Sequence, residues 1–165
     1  MRKKHITIFS SFLVAILVFY SCSLGSNETY ENADQMVTNA LSEIQTISMQ
    51  DLKLILEKKE LVQVVDCREE EDYKNGHISG AVNVPRGLLE FSPKLSNRRI
   101  KTIVLGNAEG SGALAVETLD KMKYSDCYLL DCTMEKWADA FPEWIEKGIT
   151  KLDVPLKEVK APEGC

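Results

Sequence analysis

A chain of 165 residues is long enough for one domain with a sizeable core, and 44% apolar with 27% charged residues is the composition of a folded globular protein, not a disordered one. The formal charge is −5, and past residue 21 only 17 Lys and Arg stand against 25 Asp and Glu. Such an acidic balance repels phosphate backbones and argues against nucleic acid as a partner.

The N-terminus reads as a targeting segment over residues 1–21. Arg2-Lys3-Lys4 is a basic start, Ile6 to Tyr20 is a mostly apolar run too short to span a bilayer comfortably, and Ser21-Cys22-Ser23 follows. A small residue followed by Cys at the end of such a run looks like a bacterial lipoprotein cleavage site, although Phe19 and Tyr20 stand where Leu and a smaller residue are usual. The expectation is cleavage before Cys22, diacylation of that Cys, and an exported domain anchored to a cell-envelope membrane on its periplasmic or surface side. A plain secretory signal cut between Ser21 and Gly25 is the alternative; it also places the domain outside the cytoplasm.

Residues 22–45 are read as tether and N-terminal helix. Ser23 to about Gln35 is polar and tether-like, and Met36, Val37, Ala40, Leu41 and Ile44 form a helical stripe. Ser48 with Asp51 three residues on is an N-cap signal, a capping box with Asp in place of Glu. The helix it starts buries Leu52, Ile55 and Leu56 and ends near Lys58-Lys59, where cations suit its dipole. Leu61 to Asp66 reads as the first core strand. Glu69 to Lys74 is a short helix stopped at Asn75-Gly76 by a left-handed glycine. Ala81 to Val84 is extended, and Pro85 closes it.

An amphipathic turn, Leu88 to Phe91, comes next. Pro93 breaks or restarts it, and Asn97-Arg98-Arg99 is an exposed basic turn. Thr102 to Leu105 is a strand, residues 106–112 a loop, and Ala113 to Met122 a helix. Cys127 to Leu130 is a strand, and Met134 to Ala140 a helix with Trp137 inward. Phe141 to Gly148 reads as a last helical piece, and residues 151–165 as a loose tail. Apolar strands alternating with helices predict a parallel sheet covered on both faces. Ligands in such sheets bind past the C-terminal strand ends. Those ends carry Asp66-Cys67-Arg68, the 106–112 loop and Asp131-Cys132-Thr133.

Residues 64–85 run as a valine pair, Asp66, Arg68, Asp72-Tyr73, Gly76-His77-Ile78, Gly80-Ala81 and Pro85, in that order. This resembles the signature of the rhodanese family of sulfurtransferases. The resemblance continues through Thr102 to Tyr128 and into Tyr128 to Trp137, and covers roughly residues 46–148. It implies an α/β rhodanese-like domain over residues 46–150, with a central, mainly parallel five-stranded sheet and helices on both faces. It implies no cofactor, and no cysteine or histidine spacing here suits a metal.

In that family the loop opens with a catalytic Cys, which takes a sulfane sulfur from a donor such as thiosulfate. Loop amides and a loop Arg stabilise the thiolate, the persulfide and the anionic donor. Here the loop is Gly106-Asn107-Ala108-Glu109-Gly110-Ser111-Gly112, seven residues where eight are usual. The catalytic position falls on Gly106 or Asn107, no Arg is present, and Glu109 would repel an anionic donor. The same absences tell against the dual-specificity phosphatases of this fold, which use a longer loop with Cys and Arg.

The expected function is therefore a non-catalytic rhodanese homologue that binds a protein partner or a small anion. One alternative is a sulfurtransferase with a displaced thiol, for which Cys132 is the candidate. Another is a structural envelope component. Cys67 and Cys132 are otherwise small core residues. In the family's strand order their strands lie two spacings apart, about 10 Å, too far for a disulfide unless the loops bend inward. Pairing among Cys67, Cys127, Cys132 and Cys165 is left open. His77 is expected to be structural, Asp66 and Arg68 to tie loops together, and Trp137 and Trp144 to be core. The basic turn Arg98-Arg99, with Lys94 and Lys101, either meets anionic lipid or is a solvated turn, the latter by default.

Overall fold

The structure is a computed structural model that describes residues 29–95, 97–107 and 110–148. The expected signal peptide, Cys22, most of the tether, Ala108, Glu109 and the tail with Cys165 lie outside the described residues. The chain divides into two compact units after Glu31. Everything below concerns the second, which begins at Asn32.

Helix α1 (Ala33–Glu43) starts earlier than its apolar stripe, because Asn32 caps it: its Oδ1 accepts the Gln35 N–H at 2.9 Å. Ala33 to Gln35 are therefore its first turn, not the end of a tether. Strand β1 (Gln45–Ile47) follows, an element the sequence reading passed over. Helix α2 (Met49–Glu57) has the expected cap: Ser48 Oγ accepts the Asp51 N–H at 3.1 Å and donates to the Asp51 carboxylate at 2.6 Å. Strand β2 (Val62–Asp66), helix α3 (Glu70–Asn75), β3 (His77–Ile78) and β4 (Val82–Asn83) come next. A 3-10 helix (Arg86–Phe91), β5 (Lys101–Leu105), α4 (Ser111–Lys121), β6 (Cys127–Leu130) and α5 (Met134–Ala140) complete the main body.

The five-stranded sheet has the order β1-β6-β5-β2-β4, and every pairing in it is parallel. Neighbouring residues of the central strands point to opposite faces. Val65 and Val104 join one core, under α4 and the 3-10 helix, with Leu89, Val116 and Leu119. Val64 and Ile103 join the other, under α2, α3 and α5, with Leu52, Tyr73 and Trp137. The expected sheet, with helices on both faces, is the one observed.

Two expectations fail here. The segment after Phe141 is not one helix. A 3-10 turn (Pro142–Trp144) gives way to β7 (Ile145–Glu146), which pairs antiparallel with β3. The Ile145 side of this clasp meets Ile78, so an apolar β-branched pair holds what a lone short helix could not. Gly76 is not left-handed either: its φ of 169° is extended, and α3 stops with the Gly76 N–H on the Asp72 and Tyr73 carbonyls. The left-handed glycine is Gly80, at φ 78°.

Candidate functional site

The C-terminal ends of β2, β5 and β6 meet at one edge of the sheet, and the two motif regions behave differently there. At the end of β2, Asp66 is fully buried and Arg68 grips it with a fork. Arg68 Nε donates to Oδ1 at 3.0 Å and Nη2 to Oδ2 at 2.6 Å, and Nη2 also reaches the Gly76 carbonyl at 2.8 Å. Asn83 Nδ2 donates to the backbone carbonyls of Asp66 and Arg68. The charge-assisted pair thus ties the end of β2 to the end of α3, and the Asn83 amide ties β4 to the same turn.

His77 is fully buried, stacked on Tyr73 with ring centroids 3.7 Å apart, and its Nδ1 lies 2.8 Å from the Tyr73 carbonyl. Its Nε2 makes no hydrogen bond and lies 3.8 Å from the Glu146 carboxylate. The Tyr73 hydroxyl donates to the Ala81 carbonyl at 2.7 Å. Trp137 is core, edge-on to Phe141, and Trp144 packs on the same cluster.

The loop after β5 is closed on itself. A Cβ placed on Gly106 would lie 2.3 Å from the Gly112 nitrogen and 2.5 Å from its Cα, which backbone cannot yield cheaply. Asn107 and Ser111 bond reciprocally: the Asn107 N–H donates to Ser111 Oγ at 3.1 Å, and the Ser111 N–H to Asn107 Oδ1 at 3.4 Å. Gly110 opens α4 at φ 89°, and a Cβ there would meet Val37 Cγ1 at 2.4 Å. Val37 of α1 therefore sits against the loop. Ala108 and Glu109 fall outside the described residues, so the loop carboxylate has no assigned place.

Two cavities flank the loop. The larger, about 420 Å³, lies between α1 and the end of β6, with Val37, Leu41, Asn107, Leu129 and Cys132 on its walls. The smaller, about 160 Å³, has Arg68 as its only cation among the described residues, already held by Asp66, beside the carboxylates of Asp72 and Glu135.

Cys67, Cys127 and Cys132 are free thiols. Burial pushes Cys132 up to about 11, with Asp131 adding to it and Lys136 opposing. Burial likewise raises Cys67 to about 11, against the Ser111 hydroxyl 3.8 Å away. Cys127 rises to about 12, again by burial first, then by Asp120 and Asp126. A thiol raised in this way is held in its weakly nucleophilic form. Among the described residues, no cluster of three His, Cys, Asp or Glu could hold a metal.

Of the sequence-derived site residues, the structure brings the Asp66–Arg68 pair, the described loop residues and Cys132 to one edge. His77 belongs to the clasp with β7, and Trp137 to the core. Ser111, one of the expected loop residues, closes the loop through its hydroxyl. One contributor escaped sequence reading: Val37 approaches from a distant element, and a helical stripe gives no hint of that.

The profile of the rhodanese-like domain matches residues 48–140. This chain belongs to the rhodanese-like domain family. It is 25% identical over 113 residues to the putative sulfur carrier protein YrkF of Bacillus subtilis, an alignment that spans 68% of this chain and 57% of that protein. Among solved structures it resembles a thiosulfate sulfurtransferase from Pseudomonas aeruginosa, with a TM-score of 0.58 and 25% identity over 64% of this chain and 20% of that one. A protein of unknown function from Rhodopseudomonas palustris, a possible tyrosine phosphatase, shares the fold at a TM-score of 0.58 and 24% identity, over 70% of this chain and 96% of that one. This chain thus spans a little over half of the curated relative and a fifth of the sulfurtransferase. Helix α1 and its Val37 lie ahead of residues 48–140, which the family profile matches.

Proposed function

We propose that this chain is a non-catalytic rhodanese-like protein, exported and held on a cell-envelope membrane through lipid on Cys22, whose loop edge binds a partner instead of transferring sulfur. The observation that carries the reading is the contact between Gly106 and Gly112. One of the two positions open to a catalytic Cys has no room for a side chain, and the other, Asn107, is committed to Ser111. The Ser111 N–H at the start of α4, which could face an anion, is taken by Asn107 Oδ1. Asp72 and Glu135 beside the smaller cavity disfavour an anionic ligand and favour a protein partner. The names of the relatives, a putative sulfur carrier and a thiosulfate sulfurtransferase, then describe the ancestry of the scaffold.

One observation favours a second reading, sulfur transfer through a displaced thiol: Cys132 lines the larger cavity beside the loop. Its raised thiol weighs against it. Sulfur loading separates the two. The full chain in mild detergent is reduced, exposed to excess thiosulfate and weighed intact. No added sulfur, and no thiocyanate on adding cyanide, is the expected result. A single added sulfur that disappears in Cys132→Ser would replace the first reading with the second.

A further inference from the structure

Residues 86–101 hold five Lys and Arg and a single acid, Glu90, in a chain that is otherwise acidic. That acid is ion-paired with Arg86 at 3.0 Å. Within this stretch the 3-10 helix Arg86–Phe91 sorts its apolar residues by direction. Side chains three apart eclipse one another on a 3-10 helix, so Leu88 and Phe91 share one ridge. That ridge points outward: Leu88 is 60% and Phe91 85% exposed, whereas Leu89 between them is buried in the core with Leu95. Phe91 is the most exposed large apolar side chain among the described residues.

Cations follow closely. Lys94, three residues past Phe91, reaches the Asn83 carbonyl at 2.9 Å. Arg98 lies over the Tyr124 ring, 5.5 Å from its centroid. Arg99 is exposed. Two apolar side chains held outward on a short rigid helix, followed by basic groups, form the combination that seats a protein on an anionic bilayer. The ring enters the interfacial zone and the cations meet headgroups.

We propose that residues 86–95 and 97–99 form a membrane-contacting surface, with the Leu88–Phe91 ridge inserted at the interface of an anionic bilayer and Lys94, Arg98 and Arg99 on its headgroups. Charge decides for lipid over an apolar protein groove, since the ridge comes with net positive charge in an acidic chain. The proposal rests on the anchored reading above, which keeps a bilayer at high local concentration, so a weak second contact suffices. Its consequence is orientation: the anchor holds the domain near the membrane, and this surface fixes which side faces it.

The test uses the full chain with Phe91→Trp, incorporated into vesicles of phosphatidylglycerol in phosphatidylcholine, or of phosphatidylcholine alone, with brominated acyl chains as quencher. Flotation reports anchoring, and quenching beyond that of the unsubstituted chain reports insertion at position 91. Quenching in the anionic vesicles, lost in the neutral ones and reduced about tenfold or more by R98E with R99E, is the expected result, each basic residue near an anionic surface contributing roughly fivefold in affinity. Unchanged thermal unfolding of the variants confirms that the fold is intact. A chain that floats without quenching overturns this proposal and leaves the anchor standing; one that floats on neither vesicle overturns both.

Discussion

Residues 64–85 and the described loop residues 106, 107 and 110–112 meet at one edge of the same sheet and have opposite characters. In the first, most buried polar groups are consumed by structure: Arg68 by Asp66 and Gly76, Asn83 by two carbonyls, Tyr73 by Ala81. In the second, side chains give way to backbone, and two glycines touch where a reactive group would need space. The family signature that catches the eye is therefore the stretch that builds the scaffold. The chemistry depends on the short loop, and the two can part company without disturbing the fold.

The largest test of this contrast is to cut the buried pair. Asp66→Ala leaves Arg68 without its partner in a mostly dry site, and should cost about 3–5 kcal/mol. Urea unfolding checks it, and a loss below about 1 kcal/mol would mean that the motif is not structural. Next comes restoring a thiol to the loop. Gly106→Cys should destabilise by about 1–3 kcal/mol through overpacking against Gly112. Asn107→Cys should cost less, about 1 kcal/mol for the bond that Asn107 Oδ1 accepts from the Ser111 N–H. Neither variant should form thiocyanate from thiosulfate and cyanide, because the loop also lacks an Arg. Turnover in Asn107→Cys would show that the loop can still shape a transition state.

A third test uses pH. Cys67 and Cys127 are raised to about 11 and about 12. Below the ordinary thiol range both folded and unfolded chains keep these protons, and the stability that burial confers is fully present. Above about pH 8.5 the unfolded chain loses protons that the folded chain retains, so unfolding becomes easier, by at most about 1.4 kcal/mol per pH unit for each thiol. The decline continues until the folded thiols ionise at about 11 and 12. Cys127→Ala should flatten the slope, and an identical slope in that variant would remove this thiol as its source. The smallest effect belongs to Ser111→Ala, about 1 kcal/mol of stability for the one bond its hydroxyl accepts from the Asn107 N–H, read by thermal unfolding.

Much of this architecture was legible in the residues. The Ser48 cap, the continuous apolar runs of β2, β5 and β6, and the ordered motif from Asp66 to Pro85 each carry local information, and the fold follows them. Strand β1 did not show because three residues, two of them polar, have no readable period. The Ile145–Glu146 strand was hidden by the helix-like signals around Trp144, and its partner lies far back in the chain. The absence of a loop Cys and Arg could be read directly. The collapse of Gly106 on Gly112 could not, since it depends on how β5 feeds α4. The approach of Val37 to Gly110 is a contact between elements more than seventy positions apart.

The pairings of β1 and β3 set the order in which this molecule can assemble. Residues 45–47 complete the sheet only against residues 128–130, and residues 77–78 only against 145–146. Both closures wait for the last elements of the body to emerge from the ribosome, and each must overcome the entropy of a long open loop before its contacts repay it. Until then the central strands lack an edge partner and a flap. A chain stopped short of Leu130 therefore presents its unfinished sheet to whatever meets nascent protein, and one stopped short of Glu146 still lacks its clasp.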